Sequence, residues 1–391
     1  MEAYIVAGYR TAVGKAKRGG FRFYRPDDLA IEVIKGLMAS VPSLDPQQVD
    51  DVIVGNAVPE AEQGLQVGRI IAARALGFEV PGMTVNRYCA SGLESIAIAS
   101  AKIRSGQAEC IIAGGTESMS LVPTAGWKTV PSYSIAKDDP DYYLSMGLTA
   151  EAVAKEYKVS REDQDEFSFH SHKKAINAIT NGYFKSGILP INVEQVYIDE
   201  KGKRKTKSYT VDTDEGPRTD TNMEALAKLK PVFAAQGTVT AGNSSQTSDG
   251  AAFVMVMSQR LINSLGLKPI ARLVNCVSAG VHPRVMGIGP IEAVPKVLKR
   301  AGMNLSQIDL IELNEAFASQ SLAVIRTLDL DPSIVNINGG AIALGHPLGC
   351  TGCKLTIQIT HDMKRLNKKF GIVTACVGGG QGIAGIIENI N

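Results

Sequence analysis

Two thiols and one imidazole, each set in a turn that carries glycine, are the side chains of this sequence best suited to chemistry. Cys89 lies in Asn86-Arg87-Tyr88-Cys89-Ala90-Ser91-Gly92, His346 in Gly345-His346-Pro347-Leu348-Gly349, and Cys376 heads the run Cys376-Val377-Gly378-Gly379-Gly380-Gln381-Gly382. Glycines after a strand end let bare backbone N–H groups approach a reacting atom and tolerate φ > 0. A cysteine directly before a helix feels the positive end of the helix dipole, which favours thiolate over thiol. Position alone fits a buried structural cysteine at Cys89 equally well, and the small neighbours Ser91 and Gly92 tilt the reading towards function. His346 is offered from a rigid turn between glycine and proline, where it can act as base to a thiol nucleophile. Together these residues point to covalent acyl transfer.

Other chemistries find little support. His170 and His172 sit on different faces of one predicted helix, and His282 and His361 have no companions, so all four read as non-functional. Cys350-Thr351-Gly352-Cys353 lacks the second ligand pair of a metal site and reads as packing at a helix start. Lys201, Lys203, Arg204, Lys205 and Lys207 around Gly202 read as a solvated hairpin. Gly242-Asn243-Ser244-Ser245 has no P-loop spacing, and no G-x-G-x-x-G follows the first strand.

The elements that must position the reactive groups alternate. Ala3–Ala7, Asp51–Val54, Thr84–Asn86 and Glu109–Ala113 read as strands, and Pro26–Ser40, Gly68–Leu76 and Gly92–Arg104 as helices, which predicts a predominantly parallel α/β sheet. The two ends of the chain resemble each other. Val49-Asp50-Asp51-Val52-Ile53-Val54-Gly55-Asn56 resembles Ile308-Asp309-Leu310-Ile311-Glu312-Leu313-Asn314, and Cys89 follows the first asparagine at nearly the distance at which His346 follows the second. A duplicated α/β unit follows, with one reactive group from each corresponding strand end. Between the halves, Met119 to Thr247 has another texture, with a helix from Thr149, a helix opened by Ser160 with Asp163 in capping-box spacing, and a charged segment from Asp199 to Asp220. It reads as an inserted lid or ligand-binding surface.

Composition bounds the partners. A chain of 391 residues with 45% hydrophobic residues is globular and holds more than one compact unit. The net charge of +2, from 41 basic and 39 acidic residues, gives no whole-chain field for nucleic acid or a membrane surface. No apolar run approaches the roughly 18–20 residues of a membrane span. Six dispersed cysteines and the lack of a basic, apolar leader predict a reducing, cytoplasmic setting.

The Cys89, His346 and Cys376 motifs together with Asn314-Glu315-Ala316-Phe317 resemble the motif set of the thiolases, in order and over nearly the whole chain. The resemblance implies a thiolase-like duplicated α/β core, an αβαβα five-layer sandwich with an inserted loop domain. Its expected boundaries are 1–118 plus 248–269 for the N-terminal core half, 119–247 for the loop domain over the coenzyme A site, and 270–391 for the C-terminal half. Cys89 is then the nucleophile, His346 its base, and Cys376 the acid/base that protonates the departing enolate. Asn314, through a water, joins His346 in one oxyanion hole, and the N–H groups of Cys89 and Gly378 form the other. Softer carry-overs are Arg218 and Ser245 towards coenzyme A, and Met146, Met286 and Phe317 along the acyl pocket.

The implied activity is thiolytic cleavage of 3-oxoacyl-CoA to acetyl-CoA and a shortened acyl-CoA, as in fatty-acid β-oxidation. Coenzyme A serves as substrate, with no permanently bound cofactor and no metal. Ala16-Lys17-Arg18-Gly19-Gly20-Phe21, Met146-Gly147-Leu148-Thr149 and Gly349-Cys350-Thr351-Gly352 resemble degradative members more than biosynthetic acetoacetyl-CoA members, and Ser145 departs from the histidine that the latter often carry. The alternatives are an acetyl-CoA C-acetyltransferase and, further off, a decarboxylating ketoacyl synthase, against which the second thiol argues. A homodimer or homotetramer is implied, and a hydratase–dehydrogenase subunit is a candidate partner.

Overall fold

Apolar runs and amphipathic ones alternate as the sequence predicts, and in this computed structural model, which describes residues 2–390, they become strands and helices. The first part runs β1 (Ala3–Arg10), β2 (Gly14–Lys15), α1 (Pro26–Ser40), β3 (Asp51–Gly55), α2 (Val67–Leu76), β4 (Gly82–Val85), α3 (Ser91–Arg104) and β5 (Cys110–Ser118). The stretch after β5 carries α4 (Tyr133–Asp138), α5 (Met146–Glu156), α6 (Arg161–Thr180), β6 (Ile191–Ile198), β7 (Arg204–Val211) and α7 (Met223–Ala227). β8 (Ser248–Ser258) and α8 (Gln259–Leu265) follow, then β9 (Ala271–Gly280), α9 (Gly289–Ala301), β10 (Leu310–Leu313) and α10 (Ala318–Thr327). The chain closes with α11 (Ala341–Leu344), α12 (Leu348–Leu366), β11 (Phe370–Val377) and β12 (Gln381–Asn389).

The duplication is visible in the pairing. The first half is ordered β4-β3-β5-β8-β1 and the second β10-β11-β12-β9, joined where Ile5 of β1 meets Ala271 of β9. β3 lies parallel to β5 and β10 parallel to β11, while β5–β8 and β11–β12 are antiparallel, as are β8–β1 and β12–β9. A parallel bridge from Ile311 to Val335 even occupies the place of the β3–β4 pairing. The expectation of a predominantly parallel sheet is therefore corrected to a mixed one. Each half returns through a closing antiparallel strand, and periodicity in a strand buried on both faces carries no sign of direction.

Alternation within the strands sorts the core into layers. In β5 and β8, Cys110, Ile112, Phe253 and Met255 pack outward against Leu29, Val33 and Leu37 of α1 and Ile71 of α2. Ile111, Ala113, Val254 and Val256 point inward instead, onto Leu93, Ile96 and Ile103 of α3 and Leu355, Ile357 and Met363 of α12. Val373, Ala375 and Ile383 cover the same two helices from the second sheet. Ile372, Ala384 and Ile386 face outward onto Val294 and Val297 of α9 and Val324 of α10. The result is a five-layer αβαβα sandwich with α3 and α12 as the buried middle layer.

Glycines set how closely those two helices meet. A methyl on Gly92 would lie 2.8 Å from both the Cys353 nitrogen and the Gly349 oxygen, and one on Gly352 would collide with the Leu93 backbone. The amino ends of α3 and α12 therefore touch backbone to backbone, which brings the turns before them, with Cys89 and His346, to one place. Arg10, at the end of β1, forms a two-pronged buried ion pair with Asp214 at 2.7 and 2.8 Å, tying the core to the stretch between β5 and β8. β6 and β7 form the hairpin read from the basic cluster, with Lys201, Lys203, Arg204, Lys205 and Lys207 all exposed. The helix expected from Thr149 begins earlier, at Met146, because the Ser145 hydroxyl caps it by accepting from the Leu148 N–H at 3.4 Å.

Candidate active site

Cys89 occupies a 3₁₀ turn, Tyr88–Ala90, that leads straight into α3. Tyr88 is held at φ +43°, an unusual angle for a residue with a side chain. The turn is pinned locally: the Asn86 side-chain oxygen accepts from the Tyr88 N–H at 2.8 Å, and the Ser91 hydroxyl accepts from the Arg87 N–H at 2.9 Å while donating to the Tyr88 backbone oxygen at 2.7 Å. Strain held by three hydrogen bonds fixes where the sulfur points.

Two backbone N–H groups, that of Gly378 and that of Cys89 itself, favour negative charge on that sulfur. Gly378 can supply its donor because the turn from β11 to β12 is glycine throughout, with Gly379 at φ +79° and Gly380 at φ +84°, and the Val281 backbone packed where a Gly380 side chain would be. Burial nevertheless raises the Cys89 thiol to about 11, against the pull of these donors. Desolvation thus opposes the helix dipole at Cys89, which the solvent still partly reaches. Cys376, the last but one residue of β11, is fully buried and close enough to Cys89 that a charge on one raises the other; burial is the larger reason its thiol is held neutral.

His346 stands between α11 and α12. Its N–H donates to the Gln246 oxygen at 3.2 Å, its Nδ1 is 2.6 Å from the Thr351 hydroxyl, and its Nε2 is 3.3 Å from Asn314 Nδ2. Burial, with help from the cation of Lys354, lowers the imidazole to about 3, so it rests neutral and able to accept a proton. Asn314 follows the end of β10 and donates its own N–H to the Thr374 oxygen of β11 at 2.9 Å. Its side-chain oxygen is buried without a protein partner.

Two buried carboxylates brace these loops. Glu117 accepts from the Gly349 and Ala57 N–H groups, both at 2.8 Å, and from Gln63 Nε2 at 2.8 Å, fixing the first turn of α12 to the end of β3. Glu315 accepts from Ser171 at 2.6 Å, Asn336 Nδ2 at 2.9 Å and the Ile342 N–H at 3.3 Å, fixing the Asn314 loop to the segment that leads to His346. Sequence reasoning singled out neither, nor Thr351. An acidic residue closing an apolar strand (Glu117), and a hydroxyl one turn into the helix after a histidine, were the available signals.

The expected acyl-pocket residues come together: Met146, Met286 and Phe317 pack with Ala150, Val239 and Cys376 in one apolar cluster. A methyl built on Gly378 would be 3.5 Å from Tyr88 and 3.7 Å from the Met146 sulfur, so this cluster reaches the turn that addresses Cys89. Ser245 is half-buried beside it, its N–H donating to the Ala316 oxygen at 2.9 Å. Arg218 is not part of that cluster; it is exposed and paired with Asp220 at 2.9 Å, its N–H donating to buried His172 Nδ1 at 3.2 Å. Cys350 and Cys353 are both buried in α12 and are packing residues.

The N-terminal domain model of the thiolases matches residues 3–260, and the C-terminal domain model matches residues 267–389. The chain belongs to the thiolase family. This thiolase is 53% identical over 388 residues to a 3-ketoacyl-CoA thiolase of Bacillus subtilis, covering 99% of both chains. It is 45% identical over 398 residues to an acetyl-CoA acetyltransferase of Pseudomonas aeruginosa, covering 98% of each. The crystal structure of the Bacillus anthracis acetyl-CoA acetyltransferase superposes with a TM-score of 0.89 at 37% identity, over 100% of this chain and 99% of that one. The protein is an acyltransferase, and among the described residues no helix is long and apolar enough to cross a membrane.

Proposed function

We propose that this thiolase cleaves 3-oxoacyl-CoA with coenzyme A, giving acetyl-CoA and a shortened acyl-CoA, and that it serves fatty-acid β-oxidation. The observation that carries the reading is that the N–H groups of Gly378 and Cys89 both favour negative charge on one sulfur, with a second thiol beside it and the neutral, buried His346 imidazole on the amino end of the neighbouring helix. His346 Nε2 takes the Cys89 proton as the sulfur attacks the 3-keto carbon, and the two N–H groups receive the oxyanion. The bond between C2 and C3 then breaks, its electron pair passing to the acetyl-CoA enolate. Cys376 protonates C2 and becomes a thiolate, while the acyl group stays on Cys89 as a thioester. Incoming coenzyme A gives its thiol proton to Cys376 and attacks that thioester, and departing Cys89 recovers its proton from His346.

Asn314 belongs to the enolate side of the site. A buried acceptor without a protein donor suits a water, and such a water can donate one hydrogen to the Asn314 oxygen and the other to the enolate oxygen. Both sulfurs stay neutral until substrate is present, which suits a reaction between thioesters of nearly equal energy.

Met146, Met286 and Phe317 line the acyl chain in this reading, and Ser245 and Arg218 meet the pantetheine and nucleotide of coenzyme A. Residues 119–247 form the loop domain over that ligand, with 1–118 plus 248–269 and 270–391 as the two core halves. The enzyme works in the cytoplasm as a homodimer or homotetramer. In support, β4 closes its sheet with β3 as its only strand partner among the described residues, and α2, packed on β4, is flanked by the exposed Leu65 and Phe78. Thiolysis rates across short, medium and long 3-oxoacyl-CoA substrates test the reading. Turnover restricted to acetoacetyl-CoA would make the enzyme an acetyl-CoA C-acetyltransferase instead, and carbon dioxide release from malonyl thioester would replace both with a decarboxylating synthase.

A further inference from the structure

Thr351 makes the shortest contact to the imidazole, and its own partners decide what that contact is. Its hydroxyl is 2.6 Å from His346 Nδ1 and 3.0 Å from the Pro347 oxygen, one turn back in α12. A carbonyl oxygen only accepts, so the single hydroxyl hydrogen goes to Pro347, the usual back-bond of a helical threonine. The lone pairs that remain on Thr351 accept the Nδ1–H. Nε2 is then the bare nitrogen, and it faces the Asn314 amide donor at 3.3 Å. The opposite tautomer requires two changes at once: the hydroxyl turned from Pro347 to Nδ1, and the Asn314 amide reversed. It also fails once His346 is protonated, because an imidazolium carries a hydrogen on Nδ1 and needs an acceptor there.

We propose that Thr351 is the positioning residue that fixes His346 in its Nδ1–H tautomer, occupying the place a carboxylate takes in a Ser-His-Asp triad. The proposal rests on the reading of His346 as the base for Cys89. A neutral hydroxyl orients the ring without supplying a negative charge, so it holds the tautomer yet leaves the imidazolium unstabilised. That matches a site in which burial and the nearby Lys354 both oppose protonation of His346. The proton therefore moves to His346 only when attack on substrate demands it, and no standing thiolate is exposed to side reactions.

The test uses the full-length enzyme with ¹⁵N-labelled histidine, and the variants Thr351→Val and Thr351→Ser. The ring nitrogen shifts of His346, assigned by their loss in His346→Gln, are expected to show Nδ1 protonated in the wild type. Thr351→Val should lose that tautomer and lower kcat by about 10²-fold with KM nearly unchanged, whereas Thr351→Ser restores both, as expected for a mispositioned general base. Nε2 protonated in the wild type overturns the proposal, as does a folded Thr351→Val enzyme with wild-type kcat. Should Thr351→Val fail to fold, the wild-type ring shifts alone decide. Because those shifts need no substrate, an enzyme inactive in thiolysis would sink the assigned reaction and leave the tautomer standing.

Discussion

Substituting Gly92 by alanine probes how the fold assembles the site. The added methyl would sit 2.8 Å from the Gly349 oxygen and from the Cys353 nitrogen, both backbone atoms that cannot rotate away. Ordinary contact begins near 3.4 Å, so the amino ends of α3 and α12 must part by about half an ångström. Overpacking of this kind costs about 1–3 kcal/mol, enough to lower the thermal midpoint by a few degrees without unfolding the chain. Activity should suffer more. The same separation moves Cys89 relative to His346, and since a misplacement of about 1 Å costs about 10²-fold in rate, half of that predicts about a ten-fold loss in kcat. The assay is steady-state thiolysis beside thermal unfolding, with Gly280→Ala as control because a methyl there meets nothing within 4 Å. A folded Gly92→Ala enzyme with the stated destabilisation and full kcat would refute the view that close contact of these helices positions the chemistry.

Other consequences are accessible to direct measurement. Cys376→Ala should give a stoichiometric burst of acylation on Cys89 from acyl-CoA yet no carbon–carbon cleavage, and steady turnover by that variant would remove Cys376 from the mechanism. With the Cys89 thiol near 11, about one molecule in 10⁴ carries the thiolate at neutral pH, so alkylation by iodoacetamide should quicken about ten-fold per pH unit. Fast, pH-independent alkylation below neutrality would reveal a thiolate–imidazolium pair instead. Buried His172, pushed down to about 4 from an ordinary 6.5, contributes stability that is present above pH 6.5 and lost as the pH falls towards 4. His172→Gln, which can still accept the Arg218 N–H, should flatten that acid loss by up to about 3 kcal/mol, and unchanged urea midpoints across the window would contradict the assignment.

Much of this was legible in the residues because it depended on local chemistry. The matching asparagine-closed strands carried the duplication, the Ser160 and Asp163 spacing carried the start of α6 with both capping-box bonds formed, and the basic cluster around Gly202 carried the β6–β7 hairpin. What the residues could not carry depended on neighbours distant in sequence. Strand direction was misjudged because β5 and β8 are buried on both faces and their apolar pattern is the same in either sense. The desolvation that opposes a Cys89 thiolate was not legible, because a helix start is visible in sequence and the surroundings of the sulfur are not. Glu117 escaped notice because its partners come from β3, the 3₁₀ turn at Gln63 and the start of α12, which meet only after folding.

The central claim is that the acyl group travels on Cys89. Brief incubation of the enzyme with acyl-CoA, acid quenching and peptide mapping by mass spectrometry tests it most directly. One acyl group per chain is expected, on the peptide containing Cys89, in the wild type and in Cys376→Ala. Label on Cys376, or no covalent label while thiolysis proceeds, would contradict it.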